Sequence, residues 1–212
     1  MDDYQVWLKH PSMRHIYNKL DLSLKLGYNA GPAGVPVPVT GEYVVRPIIN
    51  LSGMGATAYI TELKANQDHD VPPGYFWCER FIGDHISINY NWRRGELIPI
   101  NAAQGWNSSV ELYRFSKWKL LEEIPDYNIP DWISCTMEAH HINIEFIDGK
   151  IIEIHGRHGF DFPFNSTEII PVFEDTQMDQ HMMYENSKYT FYESYEDADK
   201  TMQNPRIGFY YR

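Results

Sequence analysis

The sequence predicts an α+β protein with mainly antiparallel sheets. Three observations lead there: short β-branched runs set between Gly- and Pro-rich turns, strict alternation over residues 85–90, and helical spacing confined to a few stretches. A chain of 212 residues can bury one core of two lobes, and is short for two independent domains.

The elements follow in order. Ile16, Leu20 and Leu24, with Leu22 and Leu26, recur at helical spacing over 13–26, and Gly27 is a stop. Gly and Pro punctuate 31–41, so a loop is expected. Tyr43–Ile49 is a β-branched strand, and Gly53-Met54-Gly55 turns it into a second strand over 56–63. The polar stretch 64–74 ends in Pro72-Pro73-Gly74, the expected boundary between a first lobe (1–74) and a second (75–173). Strands are predicted at 75–82, 85–90 and 96–101, and short helices at 111–122 and 130–140. Residues 174–212 form an acidic, aromatic extension.

Charge and composition narrow the function. The net charge of −11 argues against a broad nucleic-acid surface, because only Arg93-Arg94 makes a local basic patch. Eight acids against two lysines over 174–200 read as a solvated surface, while interleaved Tyr184, Tyr189, Phe191, Tyr192 and Tyr195 suggest that the stretch still packs on something and is not a free acidic tail. No apolar run reaches the roughly 20 residues that span a bilayer. The start of the chain lacks a basic region followed by an apolar one, and two cysteines fit a reducing compartment, so a cytoplasmic protein is expected.

Residues 142–157 carry the chemistry. Asp148-Gly149 marks a hairpin. A two-residue turn at 148–149 would send Glu145 and Glu153 to opposite faces. A three-residue loop, 147–149, with Gly149 left-handed in a bulge, puts Ile144, Phe146, Ile152 and Ile154 on one face. Asn143, Glu145, Glu153, His155 and Arg157 then share the other. The hydrophobic pattern selects this register, since the alternative buries carboxylates. Carboxylates clustered without cysteine suit an oxygen-seeking ion such as Mg²⁺, and an adjacent arginine can neutralise phosphoryl charge. A solvated polar face fits the same pattern equally well. His140, His141, His155 and His158 could alternatively make a zinc or iron site, but their spacing is not that of a helical pair of ligands.

The segment Glu145-Phe146 … Ile152-Glu153-Ile154-His155-Gly156-Arg157 resembles the metal-binding hairpin of ATP-grasp enzymes, with His155 where that family usually has Asn. Further pieces follow in the family's order over about residues 17–158. Asn18-Lys19-Leu20 resembles its early lysine motif, and Tyr43-Val-Val-Arg46-Pro47 the strand that normally ends Lys-Pro. Gly53-Met54-Gly55 stands at the glycine-rich phosphate loop, and Trp77-Cys-Glu-Arg-Phe-Ile-Gly83 resembles the hinge.

The resemblance implies two lobes of mainly antiparallel sheet clamping ATP. Lys19 and Arg46 would hold phosphates together with Gly53 and Gly55. Glu79, Phe81 and Ile82 would hold the purine, and His85 the ribose. Glu145, Glu153 and His155 would bind Mg²⁺, and Arg157, with Arg46, would act on the acyl phosphate. The activity implied is ligation of a carboxylate, activated as an acylphosphate, to an amine. A non-catalytic nucleotide- or partner-binding module is the other reading. The family's amino-terminal acceptor domain has no counterpart here, so the small-molecule or peptide-like acceptor stays open. A second copy or a partner protein could supply that domain.

Overall fold

The computed structural model describes residues 2–51, 55, 57–107, 111–135, 137–159, 162, 166–176, 181, 183, 184, 187, 189–193 and 206–212. Two antiparallel sheets face each other. The smaller contains β1 (Ala30–Pro32), β2 (Gly41–Pro47), β3 (Tyr59–Leu63) and β4 (Tyr75–Glu79), in the order β1-β4-β2-β3. The larger contains β5 (His85–Arg93), β6 (Glu96–Asn107), β7 (Phe115–Leu120), β8 (His141–Ile147), β9 (Lys150–His155), β10 (Glu168–Phe173), β11 (Thr190–Glu193) and β12 (Arg206–Tyr211). Its order is β11-β12-β10-β7-β6-β5-β8-β9.

Alternation decides which face of the large sheet is covered. Ile86, Ile88 and Tyr90 of β5 join Ile142, Ile144 and Phe146 of β8 in one buried cluster. Three helical pieces close over it: α1 (Asp3–Lys9), a 3-10 helix (Pro11–Tyr17) and α2 (Lys19–Lys25). They contribute Val6, Met13, Ile16, Tyr17 and Leu22. The small sheet has a separate core of Val37, Tyr43, Val45, Leu63, Val71 and Trp77. The opposite, polar face of the large sheet is thereby left to form a cleft with the small one.

Several expectations need correction. The predicted helix over 13–26 is two pieces, because Asn18 caps α2 by accepting the Asp21 N–H at 3.0 Å and breaks the run. The predicted helix 111–122 is strand β7. Its spacing fits either period, and pairing to β6 and β10 overrides the local preference. Among the described residues of the predicted 130–140 helix, Asp131–Ser134 (α3) is helical. Pro72–Gly74 is a turn within the small sheet, since β4 pairs with β1 and β2. The change of sheet falls at 80–84 instead. Of the described residues beyond 174, β12 lies between β10 and β11 and extends the large sheet. The α1 helix and the strands β1, β10, β11 and β12 are additional to the sequence reading.

Candidate functional site

The β8–β9 hairpin brings the carboxylates together by a different route from the one expected. Its turn has two residues, Asp148 and Gly149, both left-handed at φ 51° and 72°. Regular pairing would then separate the two glutamates. A bulge restores them: Ile147 pairs with Lys150 and Phe146 with Ile151, yet Glu145 pairs with Glu153. Ile152 is the extra residue. Consequently Ile151, not Ile152, is buried with Phe146, while Ile152 faces the cleft and its carbonyl accepts from Arg46 Nη2 at 3.0 Å.

Around that pair the polar residues form one network. Lys19, from the first turn of α2, places Nζ 2.5 Å from Glu153 Oε1. His85 Nε2 lies 3.0 Å from Glu145 Oε2. His155 Nε2 is 3.8 Å from Glu145 Oε1 and 3.6 Å from Glu153 Oε1. Its Nδ1 is 2.9 Å from Asp3 Oδ2, which also accepts from Arg157 Nε at 2.9 Å. Tyr17 Oη donates to Asp3 Oδ1 at 3.0 Å and accepts the Gly156 N–H at 3.0 Å. Gly156 has to be glycine here, because a Cβ would stand 2.4 Å from a Val6 methyl.

The charges follow from these distances. Burial resists ionisation of Glu145, but His85 and His155 overcome it and hold its pKa at about 2. Burial likewise opposes the Glu153 charge, and Lys19 and His155 outweigh it to lower the pKa. For His155 burial disfavours the proton, yet Asp3 and Glu153 raise its pKa. Its Nδ1 lies at hydrogen-bond distance from Asp3 and its Nε2 faces both glutamates, so the surrounding carboxylates favour the protonated ring. Lys19, Arg46 and Arg157, with His155 when it is protonated, face Asp3, Glu145 and Glu153.

The remaining expected residues line the same cleft, of about 500 Å³. Arg46 stacks over the Phe76 ring at 5.3 Å, and its buried Nε has no hydrogen-bond partner among the described residues. Gly55 lines the cleft at φ 56°; Gly53 lies outside the described residues. Glu79 ends β4 and accepts the Asn29 N–H at 2.9 Å. Phe81 and Ile82 occupy the connection between the sheets, Phe81 edge-on to Tyr28 and beneath Lys150 Nζ at 4.8 Å. His85 beds edge-on against Phe115 and Trp118 at 4.9 and 5.5 Å. The four-histidine alternative does not assemble. His141 and His158 meet at 3.2 Å, while His155 is held in the cleft by Asp3.

Sequence reasoning missed Asp3 and Tyr17. The Asp2–Gln5 capping box marks a helix there, but nothing local marks Asp3 as part of a site. It also missed Val44, Cys78 and Ile147, which give the hinge end apolar walls, and Trp106, Tyr113, Phe173 and Arg206 at the other end.

By sequence the chain matches no family model and no curated protein. By structure it matches the L-amino acid ligase from Bacillus licheniformis (TM-score 0.58, 11% identity), covering 94% of this chain and 67% of that one. The chain has the ATP-grasp fold. It also matches carboxyaminoimidazole ribonucleotide synthase from Aspergillus clavatus, solved with ATP (TM-score 0.56, 11% identity, 95% of this chain and 69% of that one). A third match is N5-carboxyaminoimidazole synthetase from Staphylococcus aureus, solved with ADP (TM-score 0.56, 8% identity, 93% and 67%). The chain spans 67% to 69% of these three proteins and 60% of another that it matches. Among the described residues no helix is long and apolar enough to cross a membrane.

Proposed function

We propose that this ATP-grasp chain is an ATP-dependent ligase that activates a carboxylate as an acylphosphate for attack by an amine or other nucleophile. The observation that carries the reading is the convergence of Lys19, Arg46, Glu145, Glu153, His155 and Arg157 on one cleft between two sheets. A solvated hairpin face would not recruit a buried lysine from α2 and an arginine from β2.

The base sits at the connection between sheets, against the backbone of Phe81 and Ile82, with Val44, Cys78 and Ile147 as apolar walls. Lys19 and Arg46 take phosphate oxygens, for which the buried Arg46 Nε offers a ready donor. A carboxylate oxygen of the acceptor attacks the γ-phosphorus, the bond to the bridging oxygen breaks, and ADP leaves. The nucleophile then adds at the acyl carbon and expels phosphate. Arg157, fixed by Asp3, neutralises charge on the transferring group, and His155 supplies a second fixed cation.

Two ionised carboxylates fit an oxygen-seeking ion, and the described residues contain no ready cluster of three His, Cys, Asp or Glu. Glu145 and Glu153 would therefore hold Mg²⁺ together with phosphate oxygens, as is usual for that ion. When bound it would offset the charge that develops on the phosphates. The direct test is incubation with MgATP, pooled carboxylic acids and hydroxylamine, which traps an acylphosphate as a hydroxamate. ADP and hydroxamate should form in equal amounts. Failure to bind any nucleotide would end this reading.

A further inference from the structure

The polar face of the large sheet does not end at the carboxylates. On β5 and β8 it runs from the Ser87–Glu145 pair through Asn89–Asn143 to Asn91–His141. His141 is four residues from Glu145 along one strand, roughly 13 Å away. Asn143 stands between them with its Nδ2 already donating to Ser87 Oγ at 2.8 Å and Asn89 Oδ1 at 2.9 Å.

At that far end the chain leaving β9 brings His158 Nε2 to 3.2 Å from His141 Nδ1. Each nitrogen also has an oxygen beside it. Asn91 Oδ1 lies 3.1 Å from His141 Nδ1, and the Tyr90 carbonyl oxygen lies 3.1 Å from His158 Nε2. One proton between the rings satisfies the contact between the nitrogens. A cation bound by both rings satisfies it as well, and the spacing suits one. With metal–nitrogen bonds of roughly 2.0–2.1 Å, nitrogens 3.2 Å apart subtend about 100–106° at the metal, near the tetrahedral angle. The ring centroids are 4.2 Å apart, so the rings have to open slightly to aim at one ion; His141 is exposed and can turn.

The donors select the kind of metal. Imidazole suits Zn²⁺ and its neighbours, whereas Mg²⁺ and Ca²⁺ prefer oxygen. Coordination through Nδ1 of His141 and Nε2 of His158 leaves each ring its other nitrogen for the proton of the neutral form. Burial and the neighbouring His141 both lower the His158 pKa, which favours that neutral form. His140 turns instead to the Trp92 carbonyl oxygen at 3.3 Å, and His155 is held by Asp3.

We infer that His141 and His158 form a second metal site, apart from the carboxylates, that takes a zinc-like divalent transition ion through His141 Nδ1 and His158 Nε2, with Asn91 Oδ1 beside them and water in the remaining positions. The site does not depend on the ligase reading.

Calorimetric titration of the full chain with Zn²⁺ tests it. His141→Ala and His158→Gln should each weaken zinc binding at least about tenfold, since losing even an outer-shell partner costs that much. His140→Ala and Glu153→Gln should leave this binding unchanged, and excess Mg²⁺ should not displace the zinc. His141→Ala, at an exposed position, keeps the test intact if His158→Gln fails to fold. Absence of zinc binding, binding that survives His141→Ala undiminished, or binding lost with Glu153→Gln instead would overturn the inference and leave the two rings a hydrogen-bonded pair.

Discussion

Asp3 shows how much one residue can organise at a distance in sequence. It spans 152 positions to His155 and 154 to Arg157, fixing one cation under the carboxylates and another beside them. Its own carboxyl is held well below the usual range despite burial, because His155 and Arg157 favour the charge. The signs of the linkage follow from these directions. Depressed carboxylates at Asp3, Glu145 and Glu153 contribute stability above their ordinary values, near 4 to 4.5. That stability is lost as pH falls through the folded values. The raised His155 contributes fully below its ordinary 6.5 and loses its contribution as pH climbs through the folded value. Stability should therefore peak between about pH 5 and 6.5. Asp3→Asn should cost about 3 kcal/mol, the scale for breaking a buried charged network, and should flatten the decline above pH 6.5. Chemical denaturation across pH measures both, and an unchanged alkaline limb would show that Asp3 does not hold the proton on His155. Glu153→Gln keeps shape and removes one charge. Apparent Mg²⁺ affinity for nucleotide turnover should fall about tenfold or more, since about 1.4 kcal/mol is tenfold. Turnover with an unaltered Mg²⁺ requirement would leave Glu153 a partner for Lys19 and nothing more.

At the scale of the element, the hairpin and the connection between sheets are fitted to each other. Gly83 has φ 151°, and a Cβ there would stand 2.7 Å from the Asp148 Cβ. Gly83→Ala should thus both strain the backbone and push the hairpin turn away. Gly149→Val meets only ordinary contacts, with Tyr127 at 3.5 Å, so its cost is the left-handed backbone alone, about 1–3 kcal/mol. Gly83→Ala should weaken nucleotide binding more than Gly149→Val at equal loss of stability. The reverse order would mean that the turn, not the connection, positions the base. The hairpin also shows how far the sequence could be read. The alternation of Ile144, Phe146 and Ile154 against Glu145, Glu153 and His155 was enough to put the carboxylates on one face. It could not say whether the odd residue sits in the loop or in the strand, because both keep the same face pattern. It therefore misplaced Ile152. β7 was illegible for another reason: Phe115 and Trp118 are three apart, which suits a helix, and only pairing to β6 and β10 makes it a strand.

Among the described residues the core under the helices and the core of the small sheet share few direct ties, and two smaller clusters lie on the large sheet. The helices and the large sheet bury one cluster, and the small sheet buries another. Between the sheets run the 80–84 connection, the Arg46 bond to the Ile152 carbonyl and the Lys19 ion pair with Glu153, Lys19 also donating its backbone N–H to Ile48 O at 2.9 Å. A nucleotide that touches both sheets should couple them. Binding to the folded state alone adds RT ln(1 + [L]/Kd), about 2.7 kcal/mol at a hundredfold excess over Kd. For a chain of this length that corresponds to a rise in Tm of about 5–10 °C. The distribution of the effect is more telling than its size. Amide hydrogen exchange with and without MgADP should slow in β2 and β3 and, together with them, in β8 and β9, because opening either sheet would then release the ligand. Slowing confined to the large sheet would place the nucleotide on one surface and remove the clamp. The ATP-grasp fold would then be carrying another activity.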